Sequence, residues 1–338
     1  MIVGGGQMNR NQWLILGIVV VVATGIFVVT VNLGKSSPSI SSTAIEPENI
    51  GGAIGAISTD QGAFFGVDTL GKAFRIGDVV QSIFQLPAQP YAAAWSAKGK
   101  FVAVLPRDNS GSWHILQLSD GKEIYQLSPS IQALTWSPDG TRIAYEYADG
   151  QNHNLSIADP DGKNWIKIVD LTVSVRQLAW LPDKTHMLFI DSQNRLQLVN
   201  ISSRTTKLVA EEVVHFEVSP DGNKILTAKS SITAQLKYGV TDLSNLNQDV
   251  FGPEQVIPFE NSYPFEVIWG ENSNAILGVD RSSGVQIVQY ALQANQRSIV
   301  AESKKILKLN DITMLLFQQN KILYFSTTDS AYKLTLVE

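Results

Sequence analysis

Acidic and basic side chains recur at one kind of place in this 338-residue chain, the end of a short apolar run. Aspartates close FFGVD, AYEYAD, MLFID and ILGVD at Asp68, Asp149, Asp191 and Asp280; Lys229 closes ILTAK, and Arg107 and Arg281 directly follow such runs. Carboxylates gathered at one spot perturb each other's protonation and can serve as acid, base or cation ligand. Mixed with Arg and Lys they form a polar site suited to a peptide, a glycan or an ion. The same aspartates suit a plainer role, because an Asp at a strand end accepts hydrogen bonds from the turn it opens.

Other chemistry is sparse. Zero cysteines exclude disulfides, thiolate metal sites and cysteine nucleophiles. No H-E-x-x-H or G-x-S-x-G is present. Gly34-Lys35-Ser36 mimics the end of a P-loop, but Val29 stands where the first glycine is needed. Asp159-Pro160-Asp161-Gly162 opens like a calcium loop, yet Lys163 follows where a ligand is needed, so it reads as a turn. His114, His153, His186 and His215 sit at four different places relative to the surrounding pattern, which disfavours a shared metal ring, and no cofactor is expected. Lys+Arg 26 against Asp+Glu 31 gives a net charge of −5, so nucleic acid is not an expected partner.

The elements that must position these residues begin with a membrane segment. Trp13 to Leu33 carries no charge, and as a helix it spans roughly 31 Å, the thickness of a bilayer's hydrocarbon core. It is longer than a signal-peptide core and lacks a good cleavage site after it, so it reads as an uncleaved anchor. Residues 1–12 are expected to form a short cytoplasmic tail, with the opening MNRNQWLIL from Met8 the more ordinary start of such an anchor. Residues 34–49, rich in Ser with Pro38 and Pro47, read as a tether.

Residues 50–338 repeat. YAAAWSAKGKFVAVL, IQALTWSPDGTRIAYEY, VRQLAWLPDKTHMLFID, VVHFEVSPDGNKILTAK and FEVIWGENSNAILGVD begin at Tyr91, Ile131, Val175, Val213 and Phe265, with fainter copies from Ala53 and Ile312. The period is about 40 residues, and each unit reads as four short strands with Gly-, Pro- and Asp-rich turns. In the third unit the expected strands are 131–136, 142–147, 154–158 and 164–169. Four strands repeated radially make a β-propeller. The expected fold is therefore all-β, seven-bladed with six blades as the alternative, preceded by one transmembrane α-helix. The last unit holds three strands (312–317, 321–326 and 331–337), so a segment near Ser41–Glu46 is expected to close the ring.

The recurring W-S-P-D-G followed by I-A-Y or I-L-T, clearest at Trp136–Gly140 and Ser219–Gly222, resembles the WD-like repeats of TolB-type β-propellers. The resemblance covers about residues 50–338. It implies that the Trp-bearing strand is innermost, that the S-P-D-G turn leads to the second strand, and that the domain is extracytoplasmic and binds partners. TolB itself is soluble and carries an additional α/β domain, so its particular partners are not carried over.

On this reading Trp95, Trp136, Trp180 and Trp269 pack between blades, while Trp113 and Trp165 are half exposed. Phe251, in the insertion Leu243–Glu254, suits a docking anchor at a loop tip. The expected function is a non-catalytic, membrane-anchored binding module of the cell envelope, with its N-terminus cytoplasmic and its propeller periplasmic or extracellular. Its expected partners are other envelope or membrane proteins, or polysaccharide. Two alternatives stand beside it: a propeller hydrolase acting on a glycan or lactone with Asp68, Asp149, Asp191 and Asp280 at the channel mouth, and an accessory subunit of a larger membrane complex.

Overall fold

A computed structural model describes backbone and side chains for most residues between 71 and 300 and for Leu315; strands flanking that range are described by their pairing. Residues 1–11, residues 36–49 of the tether and the closing strand expected near Ser41–Glu46 lie outside the described residues. Over 13–33, where a helix is expected, the backbone instead forms two antiparallel strands, Gln12–Val22 and Gly25–Lys35, the first paired with Ala331–Thr335; a run so rich in Val and Ile, broken near Gly25, suits a hairpin as well as a helix. Among the described residues no helix is long and apolar enough to cross a membrane.

Alternating apolar runs broken by turn residues fold into six consecutive four-stranded antiparallel sheets. Their strands are Ile54–Asp60, Ala63–Asp68, Lys72–Ile76 and Val80–Gln85 in the first; Pro90–Trp95, Phe101–Pro106, His114–Gln117 and Glu123–Gln126 in the second; Ile131–Trp136, Ile143–Asp149, Asn152–Ala158 and Ile166–Leu171 in the third. The fourth has Val175–Trp180, His186–Asp191, Leu196–Asn200 and Thr205–Ala210; the fifth Val213–Val218, Lys224–Lys229, Lys237–Asp242 and Gln255–Ile257; the sixth Val267–Trp269, Ala275–Asp280, Gln286–Ala291 and Gln296–Glu302. The C-terminal strands Ile312–Gln319, Ile322–Thr327 and Ala331–Thr335 pair in sequence order. Every connection within a sheet is a hairpin. The one helical turn among the described elements, Ala97–Gly99, lies inside such a hairpin.

The core is divided among the gaps between sheets. One cluster joins Ala103 and Ile115 of the second sheet to Trp136, Ile143 and Tyr145 of the third. The next joins Ile157 of the third to Met187 and Phe189 of the fourth. Leu188 and Ile190 of the fourth meet Phe216 and Ile225 of the fifth, and Leu226 and Tyr238 of the fifth meet Trp269 and Tyr290 of the sixth. Ala73 and Leu86 of the first sheet meet Trp95 of the second. The second to fifth sheets are therefore buried on both faces, and a middle strand such as His186–Asp191 is buried along its whole length.

Tryptophans tie the innermost strands together. Trp136 Nε1 donates to Ala94 O at 2.9 Å, and Trp269 Nε1 donates to Glu217 O at 3.1 Å. Both acceptors lie on the first strand of the preceding sheet, directly before its Trp95 or Val218. Trp180 differs: its Nε1 donates to Lys184 O in its own turn, at 3.2 Å. Trp165 is 53% exposed as expected, but Trp113 is buried at 5%, a correction explained by its place in the cluster between the second and third sheets.

The Ser-Pro-Asp-Gly turns form a second set of ties. In both full copies the serine hydroxyl donates to the aspartate (Ser137 to Asp139, 2.7 Å; Ser219 to Asp221, 2.6 Å). The same hydroxyl accepts the backbone N–H of the residue five positions on, Arg142 just before its return strand or Lys224 at the start of its own. Lys184 Nζ reaches back to Asp139 at 3.0 Å, and Asp221 N–H donates to Ser273 Oγ at 3.0 Å, so the turns of the third and fourth sheets are bonded to each other, as are those of the fifth and sixth. Gly140 and Gly222 sit at φ +69 and +74; a Cβ would lie 2.4 Å from Ala97 O in the first case and 2.4 Å from Pro182 Cγ in the second. Only glycine satisfies both the left-handed backbone and the close approach of the neighbouring turn.

Candidate functional site

The backbone register places the candidate residues on one face. Ile54 pairs with Asp68, Pro90 with Pro106, Val175 with Asp191 and Val213 with Lys229, so the ends of the second strands meet the starts of the first strands. The Ser-Pro-Asp-Gly turns lie at the opposite ends of the same strands. Sequence alignment thus gathers the right residues at one end of the sheets; what their side chains do differs from residue to residue.

Asp191 is 0% exposed and fully engaged. Its Oδ1 accepts the N–H groups of Gln193 at 2.9 Å and Arg195 at 3.0 Å, and its Oδ2 accepts Arg195 Nε at 2.8 Å and Gln197 Nε2 at 2.9 Å. Asp280 accepts Ser282 N–H at 2.8 Å and is bonded to the Arg297 guanidinium. Burial raises the Asp280 carboxyl's pKa, but the Ser282 hydrogen bonds and the Arg297 charge outweigh it, and the net value is below the ordinary one. Both aspartates close their own turns.

The cations are held as well. Lys229 Nζ lies 2.8 Å from Glu254, which stands just before the outermost strand of the same sheet. Arg281 is bonded to Glu266, a carboxylate only 1% exposed. Asp149 is exposed, at a hairpin where it pairs with Asn152 and Gly150 takes φ +63. The side chain of Asp68 lies outside the described residues. Phe251 is half-buried: it packs with Leu243 and Leu246 of its own insertion on the core between the fourth and fifth sheets, with Lys207 Nζ 5.6 Å from its ring centre.

Arg107, exposed like Arg281, has no carboxylate partner among the described residues. Its Nε donates to Pro90 O at 3.2 Å, its backbone N–H donates to Gln89 O at 2.7 Å, and its guanidinium lies 5.8 Å from the ring centre of Tyr91. Tyr91 is 71% exposed, the most open large apolar side chain among the described residues. Sequence reasoning missed it. The available signal was a tyrosine four residues before Trp95, on a strand whose next three residues are alanine.

The histidines contact carboxylates within their own sheets: His114 with Glu123, His153 with Glu146, His186 with Asp183 and His215 with Glu217. No group of three or more metal-ligating side chains occurs among the described residues. On the opposite face a cleft of about 550 Å³ opens between the second and third sheets, lined by Lys100, Phe101, Ile124, Asp139 and Asp161. Its carboxylates are turned onto local partners, Asp139 onto Thr141 and Ser137 and Asp161 onto Lys163.

The arrangement of sheets has a counterpart among solved structures. The crystal structure of the Cps50 (Swd1) β-propeller domain of Myceliophteria thermophila superposes with a TM-score of 0.58 at 10% identity, covering 84% of this chain and 97% of that one. The fold is a β-propeller. No protein-family model matches the chain, and no curated protein does. Each four-stranded sheet is then a blade, and the residues at the ends of the second strands ring one mouth of the propeller.

Proposed function

We propose that the chain is a non-catalytic binding module: a seven-bladed propeller of the TolB type, held at the outer side of a cell membrane by the segment 13–33. The three C-terminal strands form the seventh blade; with 13–33 in the bilayer, a strand near Ser41–Glu46 takes the edge of Ala331–Thr335 that Gln12–Val22 occupies in the structure. The observation that carries the binding reading is the engagement of the carboxylates. Asp191 and Asp280, two of the residues a hydrolase would need free at the mouth, spend their oxygens on their own turns and on arginines. A rigid ring with its polar residues locked presents a fixed surface, and a fixed surface binds without a large ordering cost.

Membrane placement rests on the 21 uncharged residues from Trp13 to Leu33 and on the short segment before them. The module thus serves protein partners in the envelope, with the Ser-rich stretch 34–49 giving it reach. Crosslinking in native membranes, followed by identification of chains co-purified with the full-length protein, tests the reading. Stoichiometric recovery of a specific envelope protein supports it. Recovery of no partner, together with turnover of a glycan or lactone substrate by the purified chain, overturns it.

A further inference from the structure

We infer that Tyr91 and Arg107 form the anchor point of the mouth face, and that it takes an acidic side chain, aspartate or glutamate, of a protein partner. The inference rests on the binding-module reading and names its contact chemistry.

Tyrosine and arginine carry a disproportionate share of binding energy at protein interfaces, because each combines large contact area with directed hydrogen bonds. Here they are neighbours. Arg107 begins at the end of the second strand, directly after the Pro90–Pro106 pair, and Tyr91 follows Pro90 on the partner strand. The Nε–H is committed to Pro90 O and the guanidinium lies against the Tyr91 ring, which fixes the side chain at two points. Its terminal nitrogens have no bonded partner among the described residues. A planar fork of two parallel N–H donors, already oriented, matches the two oxygens of a carboxylate.

Of the other cations described on this face, Lys237, exposed beside Lys229 on the neighbouring strand, is a point charge without a planar fork, and four more are spoken for. Lys229 is paired with Glu254, Arg281 with Glu266, Arg195 with Asp191, and Arg176 is bonded to Asn194. One open fork beside an exposed tyrosine fits a single carboxylate flanked by apolar contact. A phosphate polymer or an anionic lipid surface needs several open cations, and this chain carries a net charge of −5.

The test places a photoreactive p-benzoylphenylalanine at position 91 of the full-length protein in native membranes, with the same residue at position 165 as the control on a different surface. Crosslinked peptides are mapped by mass spectrometry in the wild-type, Arg107→Lys and Arg107→Ala backgrounds. The expected result is a position-91 crosslink to a protein segment, within a few residues of an Asp or Glu, whose yield falls at least tenfold in both variants. Arg107→Lys keeps the charge and removes the fork, so an undiminished yield in that variant overturns the inference. A crosslink to lipid or polysaccharide does the same, as does one with no acidic residue near it. If position 165 crosslinks to a protein and position 91 does not, this inference fails while the binding module stands. If neither position crosslinks to protein, both fail.

Discussion

Asp191 and Asp149 look alike in sequence, each an aspartate closing a buried strand, yet one is sealed by four hydrogen bonds and the other lies open. The difference comes from residues the repeat does not specify. Asp191 is followed by Ser-Gln-Asn-Arg, a turn that aims N–H groups and a guanidinium back at it, whereas Asp149 is followed by Gly-Gln and a two-residue hairpin. Asp191→Ala leaves Arg195, Gln197 and two N–H groups without their acceptor and should cost about 3–5 kcal/mol, read from chemical denaturation. Asp149→Ala should change stability by less than about 0.5 kcal/mol. Equal effects would contradict the turn-closing role. Position was thus legible in the sequence, but bonding was not, because partners such as Glu254 for Lys229 lie in another strand. The pH dependence follows from the same carboxylates. Asp139, Asp183, Asp221 and Asp280 are held below the ordinary carboxylate value, Asp139 chiefly by the Thr141 and Ser137 hydroxyls and Lys184; burial opposes the shift at Asp183, Asp221 and Asp280, and hydrogen bonds overcome it. A depressed folded value gives stability that is complete above the unfolded pKa of about 3.9 and is lost as pH falls toward the folded value. The urea midpoint should therefore fall steeply below pH 4, with these groups contributing no change between pH 6 and 8. A midpoint that rises on acidification would contradict this.

The strands and turns are the level at which the sequence is most informative. Pro138-Asp139-Gly140 and Pro160-Asp161-Gly162 end one strand and begin the next, since proline presets φ, aspartate accepts the turn's N–H groups and glycine takes φ > 0. In the third blade the strand expected at 131–136 is found there, and the others shift by up to two residues at their ends. The second and third strands run further than expected because their pairing continues unbroken to Asp149 and Asn152 at the hairpin, while irregularities interrupt the ladder elsewhere, between Ile131 and Leu134 and between Leu155 and Ser156. Bulges depend on cross-strand fit that no local pattern encodes. The packing of one turn beneath the next was equally hidden, because Gly222 meets Pro182 some 40 residues away. Gly222→Ala should cost at least about 2 kcal/mol, the left-handed penalty of roughly 1–2 kcal/mol plus the clash with Pro182, and Ala substitution at Gly150, which meets nothing within 4 Å, should cost only the former. Trp136→Phe removes the part-buried bond to Ala94 O and should cost about 0.5–1.5 kcal/mol. The same change at Trp180, bonded within its own turn, should cost less; the reverse order would contradict the role of the indole as an interblade tie.

For the molecule as a whole, the repeat period of about 40 residues fixes the architecture long before any single residue is understood. Burial between successive sheets requires each unit to be apolar on both faces, which is why Trp, Ile, Leu and Val recur in register. Biological role is not written in that pattern. It belongs to the few positions that depart from it, such as the Tyr91–Arg107 pair, and those carry no repeat signature. The proposed ring has seven blades, with the C-terminal strands 312–319, 322–327 and 331–335 completed by a strand from before Ile54. A crystal or cryo-electron microscopy structure of the full-length chain viewed down the propeller axis tests this most directly. Seven blades about one axis, with Ala331–Thr335 sharing its blade with an N-terminal strand, is the predicted result. Six blades, or a seventh left with three strands and no N-terminal partner, would contradict it.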